Sequence, residues 1–267
     1  MKHISMPVEL GSPKLAASGG AQGCALRVPG RNRVEGTTSV FRPHRFLARE
    51  GEEQADLFLI QEGWACRYCL LPDGRRQITG LFLPGDWCEV SWIQGERPAQ
   101  SIVALTNVRV LAVPCAQIYH ESSSNADIRH DLWSEMVTIF NRQSEWMVNL
   151  GRKSAVERLC HLLYELYIRV KEGGLTYGDQ FAMPLTQTDL ADVTGLTPVH
   201  VNRTLRDMRS RGLVELQSKW LRIGDLEQLR QIAIFRPTSH SAGSPALSEM
   251  VVRGPAPNQP ARPSIAR

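Results

Sequence analysis

Several features that define common protein classes are missing from this sequence. Its 267 residues hold six scattered cysteines, too few for a disulfide scaffold of this length. No apolar run is long enough to span a bilayer, and the N-terminus lacks the apolar segment of a signal peptide. We therefore expect a reduced, cytoplasmic protein with no membrane partner.

Positive charge is modest overall but concentrated in one segment. The formal net charge is +4. Residues 197–222 hold six cations (Arg203, Arg206, Arg209, Arg211, Lys219 and Arg222) against two anions, Asp207 and Glu215. Such a local excess is typical of a surface that binds phosphates. A solvated charged face is the alternative interpretation.

Residues 185–209 have the pattern of two short helices joined by a tight turn. Thr186 can cap the first helix, with Asp189 answering it three residues later. Gly195 permits a left-handed turn. Thr197 can then cap a second helix that has Pro198 at its first position. The pattern predicts a helix-turn-helix.

The second helix is predicted to have one buried face and one reading face. Val201, Leu205 and Met208 follow the spacing of a buried stripe. Arginine and asparagine on the other face suit guanine and adenine edges in the major groove. The predicted DNA-binding residues are Thr186, Gln187, Thr197, Pro198, Val199, His200, Asn202, Arg203, Arg206 and Lys219. The alternative is an amphipathic surface helix with its arginines in water.

Patterns along the rest of the chain predict an α+β protein. Short β-branched runs separated by turns at residues 72–74 and 84–86 indicate an antiparallel barrel or sandwich. This region offers His44 and no His-x-His pair, so we expect no metal, no cofactor and no enzymatic activity. The predicted divisions are a disordered arm (1–38), a β-barrel sensor-like domain (39–124), a dimerisation helix (125–150), a winged helix-turn-helix domain with Lys219 near the wing tip (151–235) and a disordered, proline-containing tail (236–267).

Two apolar seams compete along the predicted long helix, which Gly151 is expected to break. One seam contains Leu132, Ile139 and Trp146, and the other contains Trp133, Phe140 and Met147; Met136, Gln143 and Leu150 belong to both. One side could lie on the barrel and the other against a second copy of the chain. The predicted dimer residues are Leu132, Met136, Ile139, Phe140, Gln143, Met147 and Leu150. The alternative is a single core helix in a monomer.

Four segments carry a resemblance to a known family. They are Leu70-Leu-Pro-Asp-Gly-Arg-Arg-Gln-Ile78, Phe82-Leu-Pro-Gly-Asp86, Gly151-Arg-Lys-Ser-Ala-Val-Glu-Arg-Leu159 and residues 185–213. With barrel, long helix, helix-turn-helix and wing in this order, residues 40–235 resemble the Crp/Fnr family of bacterial transcription regulators. The resemblance implies a cyclic-nucleotide-binding-like barrel, a two-fold dimer and promoter binding.

The sequence departs from the effector motifs of that family. Its nucleotide-binding members use a Gly-Glu and an Arg-Ser pair, where this chain has Gly85-Asp86 and Arg97-Pro98. Gly85, Asp86 and Arg97 are therefore the candidate effector pocket, but we expect no cyclic nucleotide. The oxygen-sensing branch uses clustered N-terminal cysteines. Here only Cys24 lies in the arm, and Cys66 and Cys69 should point to opposite faces of one strand.

The reader helix departs from the family in part. Arg203 matches the family arginine that reads guanine, whereas Val199 replaces a frequent Glu and Asn202 a frequent Ser. Val199 could contact a thymine methyl, and His200 could donate to a phosphate or a base edge. The leading hypothesis is a homodimeric regulator that binds double-stranded DNA at a near-palindromic promoter site and recruits or blocks RNA polymerase. The alternative is a sensor whose barrel binds a small-molecule effector that gates DNA binding.

Overall fold

The computed structural model describes residues 36–235. The predicted arm, apart from its last three residues, and the predicted tail lie outside this range. No helix in residues 36–235 is long and apolar enough to cross a membrane.

Two antiparallel sheets form the N-terminal half. Their strands are β1 (Thr37–Phe41), β2 (Phe46–Ala48), β3 (Asp56–Glu62), β4 (Ala65–Leu70), β5 (Arg76–Phe82), β6 (Ser101–Ala104) and β7 (Val108–Pro114). One sheet has the order β1-β7-β3 and the other β2-β6-β4-β5. Buried aliphatic and aromatic side chains from both sheets share one core. The predicted antiparallel β domain is confirmed, and its first strand begins two residues before the predicted boundary.

The β-branched run at residues 101–113 contains strand β6 and most of strand β7. Strands β6 and β7 belong to different sheets. Between them, the amide of Leu105 donates to the carbonyl of Trp64 at 2.8 Å, and Thr106 Oγ1 accepts from the Trp64 amide at 2.9 Å. Gly63 is required beside this turn, because a Cβ there would lie 2.0 Å from the Asn107 carbonyl oxygen. The chain therefore crosses between sheets in the middle of the run.

Two helical segments within the predicted barrel region were not predicted. A short 3-10 helix covers Val90–Gln94, and α1 covers Cys115–Ser124. Their few buried residues include Val90 and Ile118, which join the core of the β domain.

The long helix α2 covers Ala126–Arg152, and the predicted break at Gly151 is wrong. Asn125 caps its first turn by accepting from the amides of Asp127 and Ile128. The cost of glycine in a helix is only about 1 kcal/mol, which packing of the other turns outweighs. The break comes instead at Lys153, followed by α3 (Ala155–Glu172), which begins with a capping box of Ser154 and Glu157.

The two predicted seams of α2 lie in different environments. Leu132 and Ile139 pack against the core of the β domain, and Trp146 is buried. The other seam is exposed to solvent: Trp133 by 61%, Met136 by 45%, Phe140 by 70% and Met147 by 73%. Gln143 is not part of this exposed stripe, since its Nε2 donates to the Thr79 carbonyl of the β domain at 2.9 Å. The helix thus has one covered and one uncovered apolar side.

The C-terminal part is a winged helix domain. It contains β8 (Gln180–Ala182), α4 (Gln187–Thr194), α5 (Pro198–Ser210), β9 (Val214–Gln217), β10 (Trp220–Ile223) and α6 (Leu226–Ile232). The predicted two-stranded wing is extended by β8 into a sheet of order β8-β10-β9. Its hydrophobic core is continuous with buried residues of α3 and of the four-stranded sheet β2-β6-β4-β5.

Candidate nucleic-acid interface

Helix α4 begins and ends as the sequence predicted. Thr186 Oγ1 accepts from the Asp189 amide, and the Asp189 carboxylate accepts from the Thr186 amide, which completes the capping box. Gly195 ends the helix in the left-handed region with φ 64°. A Cβ at Gly195 would lie 3.3 Å from Leu150 of α2, so this turn sits close against the long helix.

The buried face of α5 positions the helix. The Thr197 hydroxyl accepts from the His200 amide, and Pro198 occupies the first turn. Val201, Leu205 and Met208 are buried, as their spacing predicted. The buried Thr204 hydroxyl donates to the His200 carbonyl at 2.9 Å, so it carries no unpaired polar group into the core.

The opposite face of α5 is turned to solvent. Val199 is 81% exposed, and Arg203 and Arg206 are exposed beside it. Asn202 Nδ2 donates to Gln187 Oε1 of α4 at 3.0 Å, which joins the two helices on this face. His200 Nε2 lies 3.3 Å from an Arg203 guanidinium nitrogen. The structure therefore groups these predicted DNA-binding residues on one open surface.

Two of the six cations of residues 197–222 form ion pairs, and within residues 36–235 the others do not. Arg211 pairs with Asp207 at 3.0 Å, and Arg222 pairs with Asp179 at 2.9 Å. Arg209 donates to the Leu216 carbonyl, tying α5 to the wing. Among the described residues, no ion pair involves Arg203, Arg206 or Lys219. Together with Arg209, whose carbonyl partner is neutral, these three cations carry the uncompensated positive charge of this segment.

The wing presents Lys219 at its tip. Ser218 and Lys219 have positive φ angles of 49° and 64°, the geometry of a two-residue turn whose twist matches its strands. Lys219 is exposed there. The predicted position of Lys219 at the wing tip is confirmed, whereas its contact with DNA remains a prediction.

The charged side chains of the candidate effector residues form ion pairs within the protein. Asp86 accepts from the Leu83 amide at 2.6 Å and pairs with Arg169 of α3 at 2.5 Å. Arg97 pairs with Glu53 at the surface, where its side chain is mostly exposed. Both charged side chains thus have partners within the protein, and binding of an effector by Gly85, Asp86 and Arg97 remains a prediction.

Another ion pair of the β domain joins Arg67 and Glu89. Arg67 lies on β4, and its Nε donates to Thr79 Oγ1 at 3.2 Å. The Thr79 hydroxyl in turn donates to Gln100. Burial lowers the pKa of Arg67. The sequence analysis missed this cluster, because its members come from four separate segments of the chain.

Four of the five cysteines among the described residues are buried, and the exception is Cys69. On β4, Cys66 is buried and Cys69 half-buried. Burial raises the pKa of the Cys66 thiol to about 12, that of Cys160 to about 12 and that of Cys115 to about 11, so the thiolate is scarce. Within residues 36–235, no group of three His, Cys, Asp or Glu side chains has a metal-binding arrangement.

A cavity of about 500 Å³ opens between the 3-10 helix, α1 and α2. Its mostly apolar lining includes Val90, Ile93, Tyr119, Leu132 and Trp133. It lies beside the N-terminal end of the exposed stripe of α2, where Trp133 and Met136 line it.

Two family models match separate parts of the chain. Residues 38–124 match a cyclic nucleotide-binding domain, and residues 157–232 match a Crp-like helix-turn-helix domain. These ranges correspond to the β domain with α1 and to the winged helix domain.

Relatives and solved structures agree with these matches. The nitrogen fixation regulation protein FixK of Azorhizobium caulinodans is 29% identical over 199 residues, covering 74% of this chain and 79% of its own. The fumarate and nitrate reduction regulatory protein of Escherichia coli is 25% identical over 187 residues, covering 70% and 74%. The fold matches FixK2 of Bradyrhizobium japonicum with TM-score 0.68 at 24% identity, over 76% of this chain and 99% of that one. It also matches TTHB099 of Thermus thermophilus, with TM-score 0.61 at 20% identity over 75% and 99%.

Proposed function

Because this chain belongs to the Crp/Fnr family of transcription regulators, we propose that it acts as a homodimer that reads a near-palindromic promoter site. The observation that carries the proposal is the open face of α5. It combines unpaired arginines, an amide and an exposed valine, which suit guanine edges, adenine edges and thymine methyls. Arg203 is assigned to guanine, and Arg206 and Lys219 to phosphates.

The exposed stripe of α2 supports the dimer. Four large apolar side chains, Trp133, Met136, Phe140 and Met147, face solvent on one side of this helix. Contiguous apolar surface of this kind is uncommon on a monomer and is typical of an interface. Pairing of α2 with its copy would set the two reader helices about one DNA turn apart, roughly 34 Å.

Two contacts favour a regulator that works without cyclic nucleotide. Asp86 is neutralised by Arg169, and Arg67 is paired with Glu89 within the β domain. An anionic phosphate bound at the Arg67 guanidinium would have to compete with the Glu89 carboxylate. We expect RNA polymerase to be the partner at the promoter, and the bacterial cytoplasm, which holds the chromosome, to be the site of action.

The test compares three substitutions in a binding titration against a panel of half-sites. Arg203→Ala should cost about 1–3 kcal/mol and relax the preference for guanine at one position. Lys219→Ala should weaken binding to all duplexes alike, because phosphate contacts carry no sequence information. The matched control is Arg211→Ala, which removes the same charge from an arginine already paired with Asp207. Unchanged base preference in Arg203→Ala would refute the role assigned to Arg203.

The apolar cavity beside α2 favours a second candidate, a sensor gated by a small apolar effector. An effector in this cavity would touch Leu132, Trp133 and Met136 at the end of the proposed interface. Protein that has been unfolded, dialysed and refolded should then need an added effector to bind its operator. Tight binding by such ligand-stripped protein would argue against this candidate.

A further inference from the structure

The β domain and the helix-turn-helix are joined by one arginine and two aspartates. Arg76 of β5 donates from Nε to Asp192 Oδ2 at 2.6 Å and from a terminal nitrogen to Asp189 Oδ1 at 2.6 Å. Both aspartates belong to α4. Beside them, Gln77 Nε2 donates to the Val193 carbonyl at 3.2 Å. We name the Arg76–Asp189–Asp192 cluster the latch.

Asp189 connects the latch to the DNA-facing end of α4. Its Oδ2 accepts from the Thr186 amide at 3.0 Å and from the Thr186 hydroxyl at 2.7 Å, while its Oδ1 faces Arg76. One carboxylate therefore caps α4 and binds the β domain at once. The reading face lies next to it, since Gln187 of α4 holds Asn202 of α5.

The latch is sheltered, which distinguishes it from surface ion pairs. The side chain of Arg76 is 28% exposed, that of Asp192 19% and that of Asp189 12%. Hydrogen bonds of a guanidinium to carboxylates are among the stronger polar contacts, and loss of the cation would leave two neighbouring anions partly buried. The preceding residue, Arg75, is 76% exposed and pairs with Asp73 of its own turn.

We propose that Arg76 is a positioning residue that holds the helix-turn-helix at a fixed angle to the β domain and α2. The inference rests on the proposed function, because it concerns how the two reader helices of a dimer are kept in register. The latch leaves the face with Val199 and Arg203 open, so the latched arrangement is the one competent to bind DNA. Releasing it frees the orientation of each reader helix without altering the helix itself.

This role predicts a specific pattern of losses. Binding to a full palindrome requires both reader helices at the correct spacing and angle, whereas binding to a single half-site requires only one intact reader helix. Arg76→Gln should therefore weaken binding to the palindrome about tenfold. Its affinity for a duplex with one half-site scrambled should be unchanged. A merely local folding defect would lower both affinities together.

The experiment uses the full chain and a palindromic duplex selected in vitro with the wild-type protein. The variants are Arg76→Gln, Asp192→Asn, their double mutant and the control Arg75→Gln. We expect Arg76→Gln and Asp192→Asn each to weaken palindrome binding, the double mutant to lose no more than Arg76→Gln alone, and Arg75→Gln to match the wild type. Equal binding by Arg76→Gln and Arg75→Gln, or equal losses on both duplexes, would overturn the proposal.

Hydrogen exchange of the free protein tests the latch without DNA. Amides of α4 and β5 should exchange faster in Arg76→Gln than in Arg75→Gln, and exchange rates that coincide would also overturn the latch. If the wild-type protein showed no preference for any duplex, the proposed function would fail. The hydrogen-exchange comparison would still test, without DNA, whether the latch restrains α4 and β5.

Discussion

Single side chains on the reader helix are placed in ways that hydrophobicity alone would not predict. Val199 is 81% exposed, whereas the hydroxyl of Thr204 is buried one turn later. Thr204 is accommodated because its hydroxyl donates to the His200 carbonyl. Val199 gains nothing from folding at that exposure. Its position is understandable if its methyl groups are covered by a thymine methyl when DNA is bound, as we propose.

His161 has the environment of a buried neutral histidine. It is 1% exposed on α3, Lys153 Nζ lies 2.7 Å from its Nδ1, and the ring of Phe235 lies 5.1 Å from its ring. Burial first, and then the charge of Lys153, lower the pKa of His161 from 6.5 to about 4, although Glu165 opposes this. The imidazole is therefore uncharged in the folded protein at neutral pH.

We expect His161 to make stability depend on pH. Between pH 6.5 and pH 4 the unfolded chain binds a proton at this residue that the folded chain does not. The free energy of unfolding therefore falls as the pH is lowered through this window, by on the order of 3 kcal/mol from His161. Urea unfolding at several pH values measures it: the slope should be shallower in His161→Gln than in the wild type. The exposed His130→Gln is the control, and identical slopes in all three proteins would contradict the assignment.

At the scale of elements, helix boundaries marked by nearby residues could be predicted from the sequence, whereas boundaries set by packing could not. The helix-turn-helix could be predicted because Thr186, Gly195, Thr197 and Pro198 mark its boundaries within twelve residues. The end of α2 could not, since packing along the whole helix overrode the weak preference of Gly151.

Asp86 and Arg76 illustrate why the site was only partly predictable. Asp86 is bound by Arg169, 83 residues away, and Arg76 by Asp189, 113 residues away. No spacing rule along one chain indicates such partners, because they meet only when separate elements pack. The reading face was predictable since its residues share one helix, whereas the latch and the Arg67–Glu89 cluster each join residues from different elements.

We expect the exposed stripe of α2 to be the element on which dimerisation depends. Phe140→Glu places a charge in the middle of this stripe, where desolvation in an interface would be costly. The variant should be monomeric in analytical ultracentrifugation at concentrations where the wild type is dimeric, with its helical circular dichroism retained. Val40→Glu is the matched control, since Val40 is 65% exposed on β1, and it should remain dimeric. If the Phe140→Glu variant were still dimeric, the dimer interface would not be the exposed stripe of α2.

On the scale of the whole molecule, the described residues form two hydrophobic cores, and the core of the winged helix domain extends onto the β domain. Cys66 and Ile78 of the four-stranded sheet β2-β6-β4-β5 pack in the same core as Trp146 of α2. This core also contains buried residues of α3 and of the winged helix domain. Arg169 and Glu165 of α3 link this core to Asp86 of the β domain. The latch adds a contact at α4. The orientation of each reader helix is therefore set by the chain itself, and a rigid dimer should tolerate only one spacing of half-sites.

This rigidity leads to a prediction about the operator. Inserting about five base pairs between the half-sites rotates one of them by about half a helical turn, away from its reader helix. Affinity should then fall to that of a duplex with a single intact half-site, because only one α5 can enter the major groove. The same insertion outside the two half-sites is the control and should leave affinity unchanged. Titration of these four duplexes at one salt concentration makes the comparison, since phosphate contacts vary steeply with salt. Equal affinity for the spaced and the original palindrome would mean that the two winged helix domains move independently. That result would contradict the inference that α2 and Arg76 hold each reader helix, α5, in a fixed orientation.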